Sequence, residues 1–265
     1  MKNVEIIVAG DINLDVIIGN SPTLPPMGQE LFVDNMTLTI GGSAANTAIG
    51  LAKLGVKVAL YGVVSQDPWG QYILAELERL GVCTDLIETT QETETGLSVC
   101  LTSGADRAFI TYMGNNRVYN PEKLLAKKLP AAHIHLTGFN WRGLIANYEK
   151  VVKELNGRGL TISLDVGYDK YEQYGEKMKE ILSRVHLFFP NEVEALKLTG
   201  AQDVYEALER LSNMIPQVVI TRGSQGAIAR DEKGVWEQQA FQVEAVDAVG
   251  AGDAFSAGFL YGYLN

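Results

Sequence analysis

Short apolar runs recur along this chain, and most of them lead into a stretch with helical periodicity. Val4 to Ala9, Val56 to Val64, Ala132 to Leu136, Leu160 to Val166, Val185 to Phe189 and Gln217 to Ile220 read as strands. Ser43 to Leu54, Pro68 to Leu80, Trp141 to Asn156 and Tyr171 to Ser183 read as helices, the first two stopped by Gly55 and Gly81. A continuously apolar strand must be covered on both faces. The alternation therefore predicts an α/β fold: a mostly parallel sheet with helices on both sides and ligands beyond the carboxyl ends of its strands. Asp11 to Asp15, Asn140, Asp165 and Asn191 all fall at such ends.

Two strand-rich detours interrupt the rhythm. The first runs from Asp11 to Ile40, with strand-like residues from Leu31 to Ile40 after a proline-rich loop, Ser21 to Pro26. The second comprises Leu86 to Glu88, Thr95 to Thr102 and Arg107 to Tyr112, with Gly104-Ala105-Asp106 as the hairpin turn. Pairing of the two would make a small separate sheet over the ligand edge of the main one. Within the first detour, an extended conformation puts Asp11, Asn13 and Asp15 on one face. That is either a hydroxyl-binding face or a loop with an Asx turn.

Composition narrows the function. The net charge of −10, from 22 basic and 32 acidic residues, disfavours a general nucleic-acid surface, which needs clustered Lys and Arg. Cys83 and Cys100 are the only cysteines, with neither a disulfide framework nor a zinc spacing, so a reducing, cytoplasmic setting is expected. His133, His135 and His186 lie in or beside strands without paired-ligand spacing and are read as core or rim residues. No run of apolar residues approaches a membrane span.

Four local patterns carry candidate chemistry. Gly41-Gly42-Ser43 opens a helix with Asn46 one turn inside it, a surface Asn or one held over a ligand that approaches the glycine backbone. Pro190-Asn191-Glu192-Val193-Glu194 has the spacing of a capping box, and the same geometry would let Glu194 hold a hydrated Mg2+ near phosphates. Thr221-Arg222-Gly223-Ser224-Gln225-Gly226 is a glycine hairpin or a set of hydroxyl and backbone contacts for a nucleotide. Finally, Phe241 to Val246 reads as a strand running into Asp247-Ala248-Val249-Gly250-Ala251-Gly252-Asp253 and then an apolar helix. Bare amides at a helix N-terminus favour an anion there, and Asp253 is either a cap or the carboxylate of a phosphoryl-transfer site.

Taken together these stretches resemble the ribokinase-like, or PfkB, family of carbohydrate kinases across nearly the whole chain. The motifs that match are GDINLD after the first strand, GGSAAN, an NxxE in FPNEVEA, a TxGxxG in TRGSQGA, and DAVGAGD. No GK dipeptide exists, which excludes a Walker A loop, and GAGDAF lacks the third glycine of a dinucleotide fingerprint. The resemblance implies a three-layer α/β/α ribokinase-like fold with a mostly parallel central sheet and a small β lid. One domain would span 1–265, with the lid formed by 11–40 and 86–117. It implies ATP-dependent phosphorylation of a sugar hydroxyl, with nucleoside phosphorylation as an alternative and a non-catalytic sugar-binding relative as another.

Carried over by motif, Asp253 is the base, and the amides of Gly250, Ala251 and Gly252 form the anion hole. Asn13, Asp15, Gly41, Gly42 and Asn46 correspond to sugar contacts, and Arg107 and Asn140 are placed with them. Asn191, Thr221, Gly223 and Gly226 belong to the nucleotide side, and Glu194 to Mg2+. Asp247 matches a residue that in some members belongs to a monovalent-cation (K+) site. As a carboxylate at a helix N-terminus, Asp253 is expected to stay ionised and to be a weak base. The resemblance further implies a homodimer built through the lid. Members normally continue with more helix beyond the position of Asn265, which helps wall the adenine, so weak or absent ATP binding is expected of the chain as given. Ser43 and Ala44 replace the Lys and Gly typical of ribokinase itself, which leaves the sugar unnamed.

Overall fold

The computed structural model describes residues 4–19, 26–103, 106–137, 144–166, 175–243 and 249–265. The main sheet is built first from β1 (Ile6–Ala9), β4 (Val58–Tyr61), β9 (His133–Leu136), β10 (Thr161–Leu164), β11 (Leu187–Phe188) and β12 (Gln217–Thr221). These six pair in parallel in the order β12-β11-β10-β9-β1-β4. β13 (Ala227–Asp231) and β14 (Gly234–Gln238) extend the sheet antiparallel beyond β12.

Strand periodicity splits the core into two layers. Ile7 and Ala9 of β1, with Ile134, Leu136, Ile162, Leu164, Phe188 and Val218, face one side. There they meet α3 (Ile145–Gly157), α4 (Gly175–Leu182), α5 (Glu192–Thr199) and α6 (Val204–Ser212). Ile6 and Val8, with Val58, Leu60, Leu187 and Val219, face the other. They pack against α1 (Ser43–Lys53), α2 (Pro68–Arg79) and α7 (Ala251–Leu264). This is the three-layer α/β/α arrangement that strands apolar on both faces require. The histidines belong to it: His133 and His135 are buried and share Ser163 Oγ at 2.8 Å each, while burial holds both rings well below the usual imidazole range. Both cysteines are free thiols. Among the described residues no helix is long and apolar enough to cross a membrane.

A second sheet has the order β3-β2-β7-β8, from β2 (Asn13–Ile18), β3 (Met36–Gly41), β7 (Leu97–Ser103) and β8 (Asp106–Tyr112). Both detours contribute to it. Its root is fastened by two buried asparagines: Asn115 donates to the carbonyls of Ile12 and Val63 at 2.9 and 2.6 Å, and Asn116 Oδ1 accepts from the Ile12 amide at 3.1 Å. Chain that crosses between two sheets leaves ladder groups without partners, and these side chains supply them.

Several elements differ from expectation. The segment 56–64 is broken at Gly62 into β4 and β5 (Val63–Ser65), and β5 leaves the main sheet to pair with β6 (Glu88–Thr90). Of the strand expected at 86–88 only Glu88 is strand, as the first residue of β6, beside β5 and outside the second sheet. Only Met36–Gly41 of the 31–40 stretch is strand, Phe32 being 84% exposed with no sheet to pack on. Phe241 to Val243 is likewise not strand but exposed chain, despite its alternation, and 244–248 lie outside the described residues. Alternation reports a half-buried surface only where a second layer exists to bury it.

Candidate active site

The parallel strands all end at one edge, and the residues that follow them are Asp11 after β1, Thr137 after β9, Asp165 after β10, Asn191 after β11 and Thr221 closing β12. A cleft of about 660 Å³ lies over this edge. Asp165, Asn191, Glu194 and Thr221 form its floor, and Gly250 to Asp253 at the start of α7, with Ser43 of α1, form one wall. Ala108 and Phe109 of β8 face it from the second sheet.

One half of the site is a cluster of carboxylates around two glycines. Asn13 Nδ2 donates to Asp15 Oδ1 at 2.6 Å, and both residues are buried. Any side chain at Gly41 would begin 2.1 Å from the Asp15 carboxyl, and at Gly42 (φ +95°) 2.5 Å from the Asp11 carbonyl oxygen. Gly42 accepts glycine alone, and a side chain at Gly41 would have to displace the Asp15 carboxyl. Gly42 is the N-cap of α1 and brings no capping side chain. Asp11 takes that task from outside the helix, its Oδ1 accepting from the Ala44 amide at 3.3 Å.

Packing of α7 on α1 adds the third carboxylate. The two helices meet through small residues, as a side chain at Gly50 would begin 2.8 Å from the Ala257 methyl. Asp253 in the first turn of α7 then reaches the first turn of α1. Ser43 Oγ donates to its Oδ1 at 2.5 Å, and Asn46 Nδ2 to its Oδ2 at 3.1 Å. The first helical bond of α7 runs from the Ala254 amide to the Gly250 carbonyl at 2.9 Å. The preceding amides, those of Ala251, Gly252 and Asp253, have no partner within the helix. No atom lies within 4 Å of where a Gly252 side chain would begin, so the backbone is open to approach there.

Electrostatics set this half apart. Burial pushes Asp253 up to about 6, with the charge of Asp11 acting in the same sense and the donors Ser43 and Asn46 opposing. Asp15 is likewise pushed up to about 6, by burial and by Asp11 and Asp253, against the Asn13 donor. Asp11 is raised by burial, with the Ala44 and Ser43 amides pulling the other way. The sequence expectation for Asp253 is sharpened: it stays mostly ionised at neutral pH, but burial makes it a stronger base than an ordinary carboxylate.

The other half is made of caps and turns. Asn191 and Glu194 form a reciprocal capping box on α5, Asn191 Oδ1 accepting from the Glu194 amide at 2.9 Å and Glu194 Oε2 from the Asn191 amide at 2.8 Å. The Thr221 amide donates to the Pro190 carbonyl at 3.1 Å, which sets Asn191 beside Thr221. After Thr221 the chain turns through Gly223–Gln225 into the β12–β13 hairpin. At Gly226 (φ +89°) a side chain would begin 2.0 Å from the Gln238 carbonyl oxygen, so this glycine serves strand packing and lies outside the cleft lining. Gly223 lines a shallower groove of about 350 Å³ with Lys197 and Arg222, continuous with the cleft through Asn191, Glu194 and Thr221.

The structure thus brings Asn46, Gly250, Ala251, Gly252 and Asp253 to one point, with Asn13, Asp15, Gly41 and Gly42 behind them. Asn191, Glu194, Thr221 and Gly223 stand across the cleft. Asn140, Asp247 and the side chain of Arg107 lie outside the described residues. Sequence reasoning missed Ser43 as a partner of Asp253; the one signal was its place between Gly42 and Asn46. Asn115 and Asn116 had no signal at all. Among the described residues no group of three or more His, Cys, Asp and Glu gathers to hold a metal ion alone.

Residues 4–265 match the pfkB family of carbohydrate kinases. The chain belongs to that family. An ATP-dependent ribose-1-phosphate kinase of Halopiger xanaduensis is 31% identical over 268 residues, covering 99% of this chain and 86% of its own. A cytidine kinase of Thermococcus kodakarensis is 30% identical over 98% of this chain and 88% of its own. The crystal structure of a Methanocaldococcus jannaschii nucleoside kinase, an archaeal member of the ribokinase family, superposes with a TM-score of 0.81 at 25% identity, over 98% of this chain and 85% of that one. This pfkB member is accordingly a carbohydrate kinase of ribokinase-like fold, a phosphotransferase.

Proposed function

We propose that the cleft carries out phosphoryl transfer from ATP to the hydroxyl of a small sugar, with Asp253 as the base and the first turn of α7 as the anion hole. The observation that supports this most is the raised, doubly hydrogen-bonded carboxylate of Asp253 placed directly beside unbonded helix N-terminal amides. The acceptor sugar lies over Asn13, Asp15, Asn46 and the Gly41-Gly42 backbone, whose carboxylate and amide groups suit neighbouring hydroxyls. Its reacting hydroxyl gives its proton to Asp253 as the oxygen bonds the γ-phosphorus. The bond from that phosphorus to the β,γ-bridging oxygen breaks, and ADP leaves. The amides of Gly250, Ala251 and Gly252 stabilise the charge on the equatorial oxygens, a contribution that removal of one such donor typically reveals as about 100–1000-fold in rate.

ATP runs from this point across Asn191 and Thr221 towards Gly223. The donor set there fits Mg2+ carried by the phosphates and its own waters, the usual preference of that ion, with Glu194 as the carboxylate that would hold those waters. An ion held there would supply neutralisation of phosphate charge. Lys197 and Arg222 beside Gly223 add positive potential on that side. A monovalent cation near Asp247 belongs to the same reading.

A homodimer over the second sheet is part of the proposal, supported by Met36, Ile110 and Tyr112, each 45% exposed or more on its strands. Two acceptor classes are carried by the relatives, a pentose phosphate and a nucleoside. Measuring ADP release from MgATP with ribose, fructose, ribose 1-phosphate and cytidine decides among them. Turnover with a free sugar or sugar phosphate is expected; cytidine as the sole acceptor would move the reading to nucleosides, and inactivity with all four would overturn it.

A further inference from the structure

Asp253 is not held by its own helix. Both of its carboxylate oxygens are tied to the first turn of α1, Oδ1 by the Ser43 hydroxyl at 2.5 Å and Oδ2 by the Asn46 amide at 3.1 Å. Two donors on two oxygens fix the plane of the carboxylate, because rotation about its last bond would break one of them. Ser43 reaches this position because Gly42 turns the chain through φ +95° into α1, and because Asp11 anchors the Ala44 amide that follows. Ser43 also lines the cleft.

We infer that Ser43 is a positioning residue for phosphoryl transfer: its hydroxyl fixes and charges the Asp253 carboxylate for the incoming acceptor hydroxyl. This rests on the reading of Asp253 as base. A hydroxyl that donates to a carboxylate favours the ionised form, and one this short is at the strong end of charge-assisted bonds. Among the described residues the charge that acts on Asp253 is that of Asp11, and it works against ionisation. Asp11 lies at the end of β1, Asp15 on β2, and Asp165 and Glu194 on the cleft floor, and no Lys or Arg stands among the described residues of the cleft lining. The neutral donors of α1 are what keep this carboxylate able to accept a proton at neutral pH. The bond from Ser43 further leaves the Asp253 oxygens with lone pairs for an acceptor, since each carboxylate oxygen accepts more than one hydrogen bond.

The test is the pH dependence of acceptor-dependent kcat/KM in the full chain, for Ser43→Ala, Ser43→Thr and Asp253→Ala, with thermal unfolding of each. Ser43→Ala is expected to lose about tenfold in kcat with KM for ATP unchanged, the usual weight of a hydrogen bond to a charged group. Its acid limb is expected to move to higher pH by about one unit, because the donor that favours the carboxylate is gone. Ser43→Thr, which keeps the hydroxyl, is expected to return the limb to the wild-type position. A merely structural Ser43 would alter Tm and leave the limb in place. An unmoved limb in Ser43→Ala, or Ser43→Thr behaving as Ser43→Ala, overturns the inference while Asp253→Ala remains dead. Turnover surviving in Asp253→Ala instead overturns the base assignment beneath it.

Discussion

The two walls of the cleft are built on opposite energetic terms. On the side of Asp11, Asp15 and Asp253, burial raises all three carboxylates and the charge of Asp11 raises the other two further, while at Gly42 backbone comes within 2.5 Å of where a side chain would begin. Hydrogen bonds from Asn13, Ser43, Asn46 and the Ala44 amide offset only part of the cost; burying like charges costs free energy. On the side of Asn191, Glu194 and Thr221, with Gly226 in the hairpin behind them, every interaction is one that a stable protein would keep without a ligand. The capping box satisfies helix amides, and Gly226 lets β14 approach. An arrangement that costs stability points to function by itself, whereas one that adds stability becomes functional only through what it faces.

That contrast can be broken by substitution. The largest effect belongs to Asp253→Asn, which keeps the shape and removes the base. Turnover should fall by about a thousandfold or more, the general-base contribution being typically 100–10,000-fold, while Tm stays level or rises. A fall in Tm with activity retained would reverse the contrast. Next comes Gly41→Ala, whose new methyl must displace the Asp15 carboxyl. A displacement of about 1 Å in a positioning group costs on the order of 100-fold in rate, so kcat/KM for the acceptor should fall on that scale with KM for ATP unaffected.

On the opposite wall, Asn191→Ala should act first on stability. Loss of an N-cap costs about 1 kcal/mol, which in a domain of this size lowers Tm by roughly 2–4 °C. Circular dichroism melts check it; an unchanged Tm with abolished turnover would make Asn191 a purely functional residue.

The smallest effect is electrostatic. Asp15 binds its proton more tightly folded than unfolded, so the folded state gains protons relative to the unfolded one between the unfolded value near 4 and the folded value of about 6. Stability from this group is therefore full below about pH 4 and lost as pH rises through 6. Asp15→Asn should raise Tm above pH 6.5 by a degree or more, with the gain vanishing towards pH 4; a gain constant with pH would mean a packing effect.

Much of this was legible in the residues. The parallel sheet follows from strands apolar on both faces, and the strand ends located Asp11, Asp15 and Asn191 without any knowledge of the site. Spacing also found the capping box of Asn191 and Glu194. What escaped was long-range. That Ser43 would meet Asp253 depends on α1 packing against α7, more than 200 residues later in the chain. The buried state of Asp253 depends on the same contact, so the local rule for a helix N-terminus left out the effect of burial. Asn115 and Asn116 act on carbonyls left free by a crossing between sheets, which no local pattern marks. Phe241 to Val243 erred in the opposite sense, having alternation without a surface to bury it.

The central claim is that Asp253 takes the acceptor proton from a raised, desolvated state. The acid limb of kcat/KM for the acceptor, measured from pH 4.5 to 8.5 at saturating MgATP, reads that state directly. The account predicts a limb with an apparent pKa of about 6. A profile flat down to pH 4.5 would contradict it.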